Sequence, residues 1–237
     1  MPMIAPSVRT LVAAVITIGT TACSTAARTG TQSAAPTPVT MPGAQGPAAA
    51  IARARADSAR YPYTEADVSF MVGMIGHHAQ AVVISKWAPT HLADPAVQRL
   101  AERIINAQED EIATMQRWLA DREKPVPDAK PMSHDRAGME GMNHATMLMP
   151  GMLSDAQLKE LDAARGPEFD RLFLQYMIQH HKGATSMVTT LFGTPGAGQD
   201  ETIFKFASDV NVDQTTEIAR MQRMLFEFEL KRASAPE

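Results

Sequence analysis

The sequence predicts an all-α protein, a four-helix bundle built from two helical-hairpin repeats. Phe70–His78 and Phe173–His181 share Phe, Met, Ile and a His-His pair at the same spacing. A second stretch, Glu111–Leu119, matches Glu217–Leu225 in the same way. Four long segments carry helical periodicity, and no segment shows the alternation of a strand. Two helices per repeat, related by a duplication, predict a bundle with a pseudo-twofold axis.

Composition limits the class of protein. The 237 residues are 45% hydrophobic and 20% charged, which suits one domain with a sizeable core and tails. The net charge of −4 does not support nucleic-acid binding, which needs a basic surface. Sixteen Met accompany a single Cys, so neither disulfides nor a thiolate metal site are expected.

The N-terminus is predicted to be an export signal over residues 1–22, with positive charge followed by the short apolar run Leu11–Ile18. Thr20–Cys23 is similar to a bacterial lipoprotein cleavage box, although Thr stands where Leu is preferred. We therefore expect lipidation of Cys23 and an exported, periplasmic or cell-surface protein. Cleavage nearby by the ordinary signal peptidase, for instance after Ala27, is the alternative.

Residues 23–62 are predicted to carry the lipidated Cys, a flexible tether and a short helix, because Ser, Thr, Ala, Pro and Gly dominate the first part. The first hairpin repeat follows over residues 63–120. Its first helix opens at the N-cap signal Thr64–Asp67 and ends before Pro89. Its second helix opens at Asp94, with Pro at the first helical position.

Residues 121–154 are predicted to be a linker by their Pro and Gly content. The second hairpin repeat occupies residues 155–232, with a short helix opened by Ser154–Gln157 and two long helices, and 233–237 form a tail. The linker is crowded with Met and His, a composition that predicts soft-metal capture and that is also compatible with a disordered segment. These residues are Met132, His134, Met139, Met142, His144, Met147, Met149 and Met152.

Helical spacing aligns the paired His motifs with a core-facing stripe. In the third long helix the stripe consists of Phe173, Met177, His180, Ala184, Met187 and Leu191, with His181 at its edge. The repeat gives Met74 and His77 the same positions in the first helix, with His78 at the edge. A buried imidazole without a partner costs a few kcal/mol. A metal ion would supply the missing partner for all four rings.

The alternative is that each His is a satisfied core residue. Its partner would then be a carboxylate or amide across the bundle, drawn from Gln108, Glu111, Gln214 and Glu217. Two copies of Met-x-x-His-His favour ligation over this alternative. Met115 and Met221, on the second and fourth long helices, fit core packing as well as ligation.

Ligand softness indicates which metal is expected. Di-iron bundles use Glu-x-x-His, a hard carboxylate one turn before the imidazole. Here Met74 and Met177 occupy that position. Thioether and imidazole suit Cu(I), or Ag(I) by the same argument, and suit iron, manganese or magnesium poorly.

With these motifs the chain resembles the domain-of-unknown-function 305 family, a ferritin-like group of exported bacterial proteins. The resemblance covers about Tyr63 to Leu230 and includes the His-His motifs, the Glu-Ile-x-x-Met-Gln segments, the Met-rich middle and Glu168–Phe173. It implies a ferritin-like bundle and, in some members, copper binding and copper tolerance in the cell envelope. It implies no established activity. Ile84 stands where the second repeat has Met187, which leaves the first half-site poorer in thioether.

The sequence is therefore interpreted as a cell-envelope protein that sequesters, buffers or hands on Cu(I), or Ag(I). It would have a copper-transfer partner protein and contact the membrane through its lipid anchor only. A ferritin-like metal-dependent oxidase and a metal-free interaction or stress module are the alternatives. The predicted ligands are Met74, His77, His78, Met115, Met177, His180, His181, Met187 and Met221, with Met132, His134, Met139, Met142, His144, Met147 and Met149 in the linker.

Overall fold

The computed structural model describes residues 46–60, 62–130 and 149–234. Within these ranges the chain is entirely helical, without a strand, so the all-α prediction is confirmed. The predicted signal peptide, Cys23 and the linker residues from Met132 to Met147 lie outside the described residues. The helices are α1 (Pro47–Arg60), α2 (Glu65–Ser85), α3 (Pro95–Asp121), α4 (Asp155–Ala163), α5 (Pro167–Gly193) and α6 (Glu201–Ala233).

Side-chain caps start the helices where the sequence indicated. Thr64 and Asp67 form a capping box at α2, and Ser154 and Gln157 form another at α4. The Asp94 side chain accepts from Ala96 N at the start of α3. Each cap satisfies backbone N–H groups that the first helical turn leaves unpaired.

Two antiparallel hairpins, α2–α3 and α5–α6, pack on each other mainly through α2 and α5. Buried carboxylates at equivalent repeat positions join them. Asp67 Oδ1 accepts from Gly198 N, ahead of α6, at 2.7 Å, and Asp170 Oδ1 accepts from Asp94 N at 3.0 Å. The start of α2 therefore lies at the end of α5 and the start of α5 at the end of α2. The two helices run antiparallel.

Helix α2 is apolar on nearly every side. By length and composition it would be able to cross a membrane, yet 78% of its most apolar window is buried inside the bundle. Its hydrophobicity is accounted for by packing, since α3, α5 and the chain that follows the linker all contact it. It is the central helix of the fold.

The core is divided into two apolar clusters, one towards each end of the bundle. One contains Met74 and Met115 together with Trp118 and residues of all four long helices. The other contains Met177 and Met221. Because α2 and α5 are antiparallel, the His-His motifs of both helices meet between the clusters. A polar layer thus crosses the middle of the core.

The C-terminal end of the predicted linker packs on the bundle. We call residues 149–153 the strap. Met152 is 4% exposed and Leu153 is 1% exposed, so the end of the predicted linker is part of the core rather than a free loop. Close approach to α5 is the reason. A Cβ on Gly183 would lie 1.8 Å from Pro150 O, and one on Gly151, whose φ is +79°, would lie 2.5 Å from Gln179 O.

Candidate metal centre

His77 and His180, at equivalent positions of the two repeats, contact each other at the centre of the bundle. Their ring centroids are 3.8 Å apart, with the planes inclined by 38°. Both residues are 0% exposed. Each follows its Met by one turn on the same helix face, as the stripe predicted.

His78 and His181 are also 0% exposed, and each is held by a carboxylate from the neighbouring helix. The distance is 2.7 Å from His78 Nε2 to Glu111 Oε2, and 2.7 Å from His181 Nε2 to Glu217 Oε2. The carboxylate oxygens accept, so Nε2 carries the proton in each ring. The partners that the sequence suggested under the core alternative are therefore present for these two rings.

The remaining ring nitrogens of the layer have no partner. His77 Nε2 donates to the carbonyl oxygen of Pro150 at 3.0 Å, which leaves its Nδ1 as an unprotonated lone pair. The Nδ1 atoms of His78 and His181 are buried without a partner in the same way. In His180 both nitrogens are unpartnered. Four imidazoles thus offer unused nitrogen atoms inside the core.

Two amides add to the unsatisfied groups. Gln108 lies one turn before Glu111 in α3, and both of its side-chain polar atoms are unpartnered. Gln214 lies one turn before Glu217 in α6, and its Oε1 is unpartnered. Buried polar groups in folded proteins nearly always have partners. This concentration of exceptions in one layer indicates a site for a ligand.

Burial keeps the central imidazoles neutral. It lowers the pKa of His77 to about 3, and the proximity of His78 lowers it further while the Pro150 carbonyl acts in the opposite direction. Burial, together with His77, holds the pKa of His180 well below its usual value. A neutral ring is the form of His that binds metal ions. Both rings are therefore ready to act as ligands at neutral pH.

The thioethers flank the His layer on both sides. Met74, Met115, Met177 and Met221 are all 0% exposed. Met74 and Met177 belong to different apolar clusters, because the two Met-x-x-His motifs extend from the His77–His180 contact in opposite directions. Met74 and Met115 thus lie on one side of the histidine pair and Met177 and Met221 on the other.

Met187 and Met149 are less buried than these four, and Met187 packs against the cluster that contains Met74 and Met115. Both are half-buried and both approach Gly73 of α2. Met149 Sδ is 3.1 Å, and Met187 Cε 3.5 Å, from the point that a Cβ on Gly73 would occupy. The other predicted linker ligands lie outside the described residues.

The donor set matches a soft monovalent ion. Over the described ranges, no three His, Cys, Asp or Glu side chains are grouped so as to hold a metal ion. Manganese sites favour carboxylate and other oxygen donors, whereas thioether and neutral imidazole are donors that Cu(I) accepts. The residues present therefore fit Cu(I) or Ag(I).

The strap supplies contacts that the sequence did not indicate. Gln80 Nε2 donates to Leu153 O at 3.0 Å, and Leu153 N donates to Gln80 Oε1 at 2.8 Å. Through Pro150 the strap also occupies one nitrogen of His77. One feature of the sequence could have indicated these contacts. The two repeats differ at the position that is Gln80 in the first and Gly183 in the second, and both residues contact the strap.

Solved structures with the same fold include proteins crystallised with these metals. A DUF305 protein of Streptomyces coelicolor, described as secreted, is 29% identical, with a TM-score of 0.56 over 69% of this chain and 92% of its own. A Deinococcus radiodurans DUF305 fragment is 26% identical, with a TM-score of 0.57 over 70% and 99%. CopM in its Cu(I)-bound form is 26% identical, with a TM-score of 0.52 over 68% and 96%. CopM has also been solved in Cu(II)-bound and Ag-bound forms.

Among curated proteins, the chain matches the uncharacterized protein L153 of Acanthamoeba polyphaga mimivirus. They are 39% identical over 56 residues, which is 24% of this chain and 37% of that protein. The chain thus spans little more than a third of that relative. A family model described as Domain of unknown function (DUF305) matches residues 67–225, which include both hairpins and every ring of the His layer. The chain belongs to the DUF305 family.

Proposed function

We propose that this protein binds Cu(I), or Ag(I), inside its helical bundle and serves the cell envelope as a store or carrier of the ion. Met74 and His77 would provide one half-site, Met177 and His180 the other. Met115 and Met221, fully buried beside them, complete the thioether supply. The protein would bind and release the ion as cargo, without catalysing a reaction.

The observation that carries this proposal is the state of His180. Its two ring nitrogens are both buried and unpartnered, at a residue that is 0% exposed. Leaving a buried polar group unpaired costs about 1–3 kcal/mol. Apolar packing would be better served by Leu at this position. A bound metal ion would remove the cost by taking the lone pair.

The histidine–carboxylate pairs support the same function. In metal sites a ligating His commonly donates its other N–H to a carboxylate, which fixes the tautomer and orients the ring. Glu111 and Glu217 stand in that relation to His78 and His181. We infer that Nδ1 of each ring is the atom available to a metal.

Export and anchoring belong to the same proposal. The signal sequence over residues 1–22 would direct the chain out of the cytoplasm, and a related protein from Streptomyces coelicolor is described as secreted. Lipidation at Cys23 would then tether the bundle to the membrane surface through the stretch before α1. Copper bound by CopM, a structural neighbour, is consistent with an envelope role in copper handling.

The test is a Cu(I) competition titration of the purified mature domain against a coloured chelator, without oxygen. We expect tight binding of Cu(I), displacement by Ag(I), and no comparable binding of Mn²⁺ or Fe²⁺. Failure of the domain to withdraw Cu(I) from even a weak chelator would contradict the proposal.

A further inference from the structure

We propose that Met149 and Met187 form a separate entry site for Cu(I) beside Gly73, from which the ion passes to the His77–His180 layer. The inference rests on the proposed function and adds a route to it. The entry site takes a soft monovalent cation, Cu(I) or Ag(I). Transfer is an exchange of ligands, thioether for imidazole, with no change in oxidation state.

Space for this site exists because residue 73 has no side chain. A Cβ there would lie 3.1 Å from Met149 Sδ, so that the sulfur would have to shift by a few tenths of an ångström, and 3.5 Å from Met187 Cε, an ordinary contact. The Met149 sulfur and the Met187 methyl group therefore both lie over bare backbone of α2. Both residues are half-buried, whereas Met74 and Met177 are fully buried. An ion arriving from solvent reaches the half-buried pair first.

The site adjoins the His layer by two routes. Gly73 lies one helical turn before His77, on the same face of α2. Met149 directly precedes Pro150, whose carbonyl oxygen binds His77 Nε2 at 3.0 Å. Met149 thus lies next to the residue that fixes the tautomer of His77 and leaves its Nδ1 unprotonated.

The repeat provides an independent observation. The position equivalent to Gly73 is Tyr176, and the position equivalent to Met187 is Ile84. The pseudo-symmetric place, formed by Tyr176 and Ile84, therefore has neither the open backbone nor the half-buried thioether. The duplicated core motifs are retained in both halves, while the features of the entry site occur only on the side that the strap covers.

The strap holds Met149 in place. Leu153 is fixed by both amide hydrogen bonds of Gln80, and Gly151 packs directly on Gly183 of α5. Gln179 Nε2 also donates to Gly151 O at 3.3 Å. A thioether held in position loses little conformational freedom on binding, which favours capture by only two ligands.

The experiment measures the rate of loading separately from the affinity. Met149→Leu and Met187→Leu nearly conserve volume, so the fold is expected to persist. Stopped-flow transfer of Cu(I) from a coloured chelator complex should slow by about tenfold in each variant. The equilibrium affinity of the His77–His180 layer should stay within about threefold of the wild type, whereas the ion held at the entry site should be lost. Gly73→Ala should also slow loading, whereas Gly193→Ala, with nothing within 4 Å of its Cβ, should not.

A second measurement follows ¹³C-methyl signals of Met during addition of substoichiometric Ag(I). The Met149 and Met187 methyl groups should shift before or together with those of Met74 and Met177. Unchanged loading rates in both Leu variants would overturn the entry site. An affinity loss as large as the rate loss would also overturn it, because the thioethers would then belong to the core site. A wild-type protein that binds no Cu(I) would instead contradict the proposed function itself.

Discussion

His77 and His180 lie ring against ring at the centre of the bundle, with centroids 3.8 Å apart, although neither ring hydrogen-bonds to the other. They occupy the same position in the similar segments Phe70–His78 and Phe173–His181, and the antiparallel packing of α2 and α5 brings them together. Such a contact between two neutral, buried imidazoles leaves lone pairs without donors. Under the proposed function, a soft cation would take these lone pairs.

The carboxylates that accept from His78 and His181 should control metal affinity, because they fix which nitrogen of each ring carries the proton. Glu111→Leu removes the acceptor of His78 Nε2–H and should weaken Cu(I) binding by about 10–100-fold. Glu111→Gln keeps an acceptor oxygen and should weaken it less. Competition titrations measure the affinity, and ¹⁵N spectra of the imidazole report the tautomer.

Glu109→Leu is the matched control, because Glu109 is an exposed α3 residue paired with Lys86. If Glu111→Leu left both the His78 tautomer and the Cu(I) affinity unchanged, the positioning role of the carboxylate would be refuted.

The carboxyl group of Asp170 should make the apo protein less stable as the pH rises through the weakly acidic range. Burial raises its pKa to about 6; the Asp94 charge acts in the same direction and the Asp94 N–H opposes it. The unfolded-state value is about 4, so between these values the native chain holds a proton that the unfolded chain has released. Stability from this group is therefore present at low pH and is lost as pH rises through about 6.

Asp170→Asn, which retains an acceptor for Asp94 N, should remove this dependence. The difference in unfolding free energy between variant and wild type should change by ~1–2 kcal/mol across this window. Denaturant titrations at several pH values measure it. A parallel pH profile for the two proteins would contradict the assignment.

The linker and the strap should behave differently on mutation. Deleting residues 132–147 should reduce the number of Cu(I) ions bound but leave helicity and the thermal midpoint nearly unchanged, because loop length contributes little to stability. Gly183→Ala should destabilise the fold, since its Cβ would stand 1.8 Å from Pro150 O. Metal analysis and thermal melts distinguish the two. Unfolding on deletion of 132–147 would show that this segment contributes to the core.

Lipidation of Cys23 can be tested by the cell fraction in which the protein is found. Cys23→Ser should move the protein from the membrane fraction to the soluble envelope fraction, with an unchanged thermal midpoint. Membrane association that persists in the variant would argue against the anchor.

The periodic and capping signals were sufficient to predict the helices. Thr64, Asp94 and Ser154 are N-cap residues whose side chains accept from backbone N–H groups two or three residues later. Such caps can be recognised in the sequence, because the partners are so close along the chain. The strap was missed because its docking depends on a long-range event, the approach of Pro150 to Gly183, while its own composition is that of a loop.

The candidate site was predicted in residue type but not in geometry. Helical spacing placed His77 and His180 in the core. Spacing within one helix does not reveal that antiparallel packing directs Met74 and Met177 to opposite sides of the layer. Nor does it show that Glu111 would bind one nitrogen of His78 while the other stays unpartnered.

The most direct test compares two buried histidines by substitution with Leu. His180 has two unpartnered nitrogens, whereas His91, 5% exposed, contacts the carbonyl oxygens of Trp87 and Asp162 at 3.0 Å each. His180→Leu should keep or raise apo stability and lose Cu(I) affinity. Met177→Leu should also lose Cu(I) affinity, with a loss of apo stability under about 1.5 kcal/mol. His91→Leu should lose apo stability by about 1–3 kcal/mol and keep Cu(I) affinity.

Unfolding free energy and Cu(I) affinity are measured on all three variants. The Cu(I)-dependent stabilisation, which follows RT ln(1 + [L]/Kd), should shrink only for His180→Leu and Met177→Leu. If His180→Leu instead destabilises the apo protein by several kcal/mol and leaves Cu(I) affinity unchanged, the buried histidines are satisfied core residues. The metal-binding account is then contradicted.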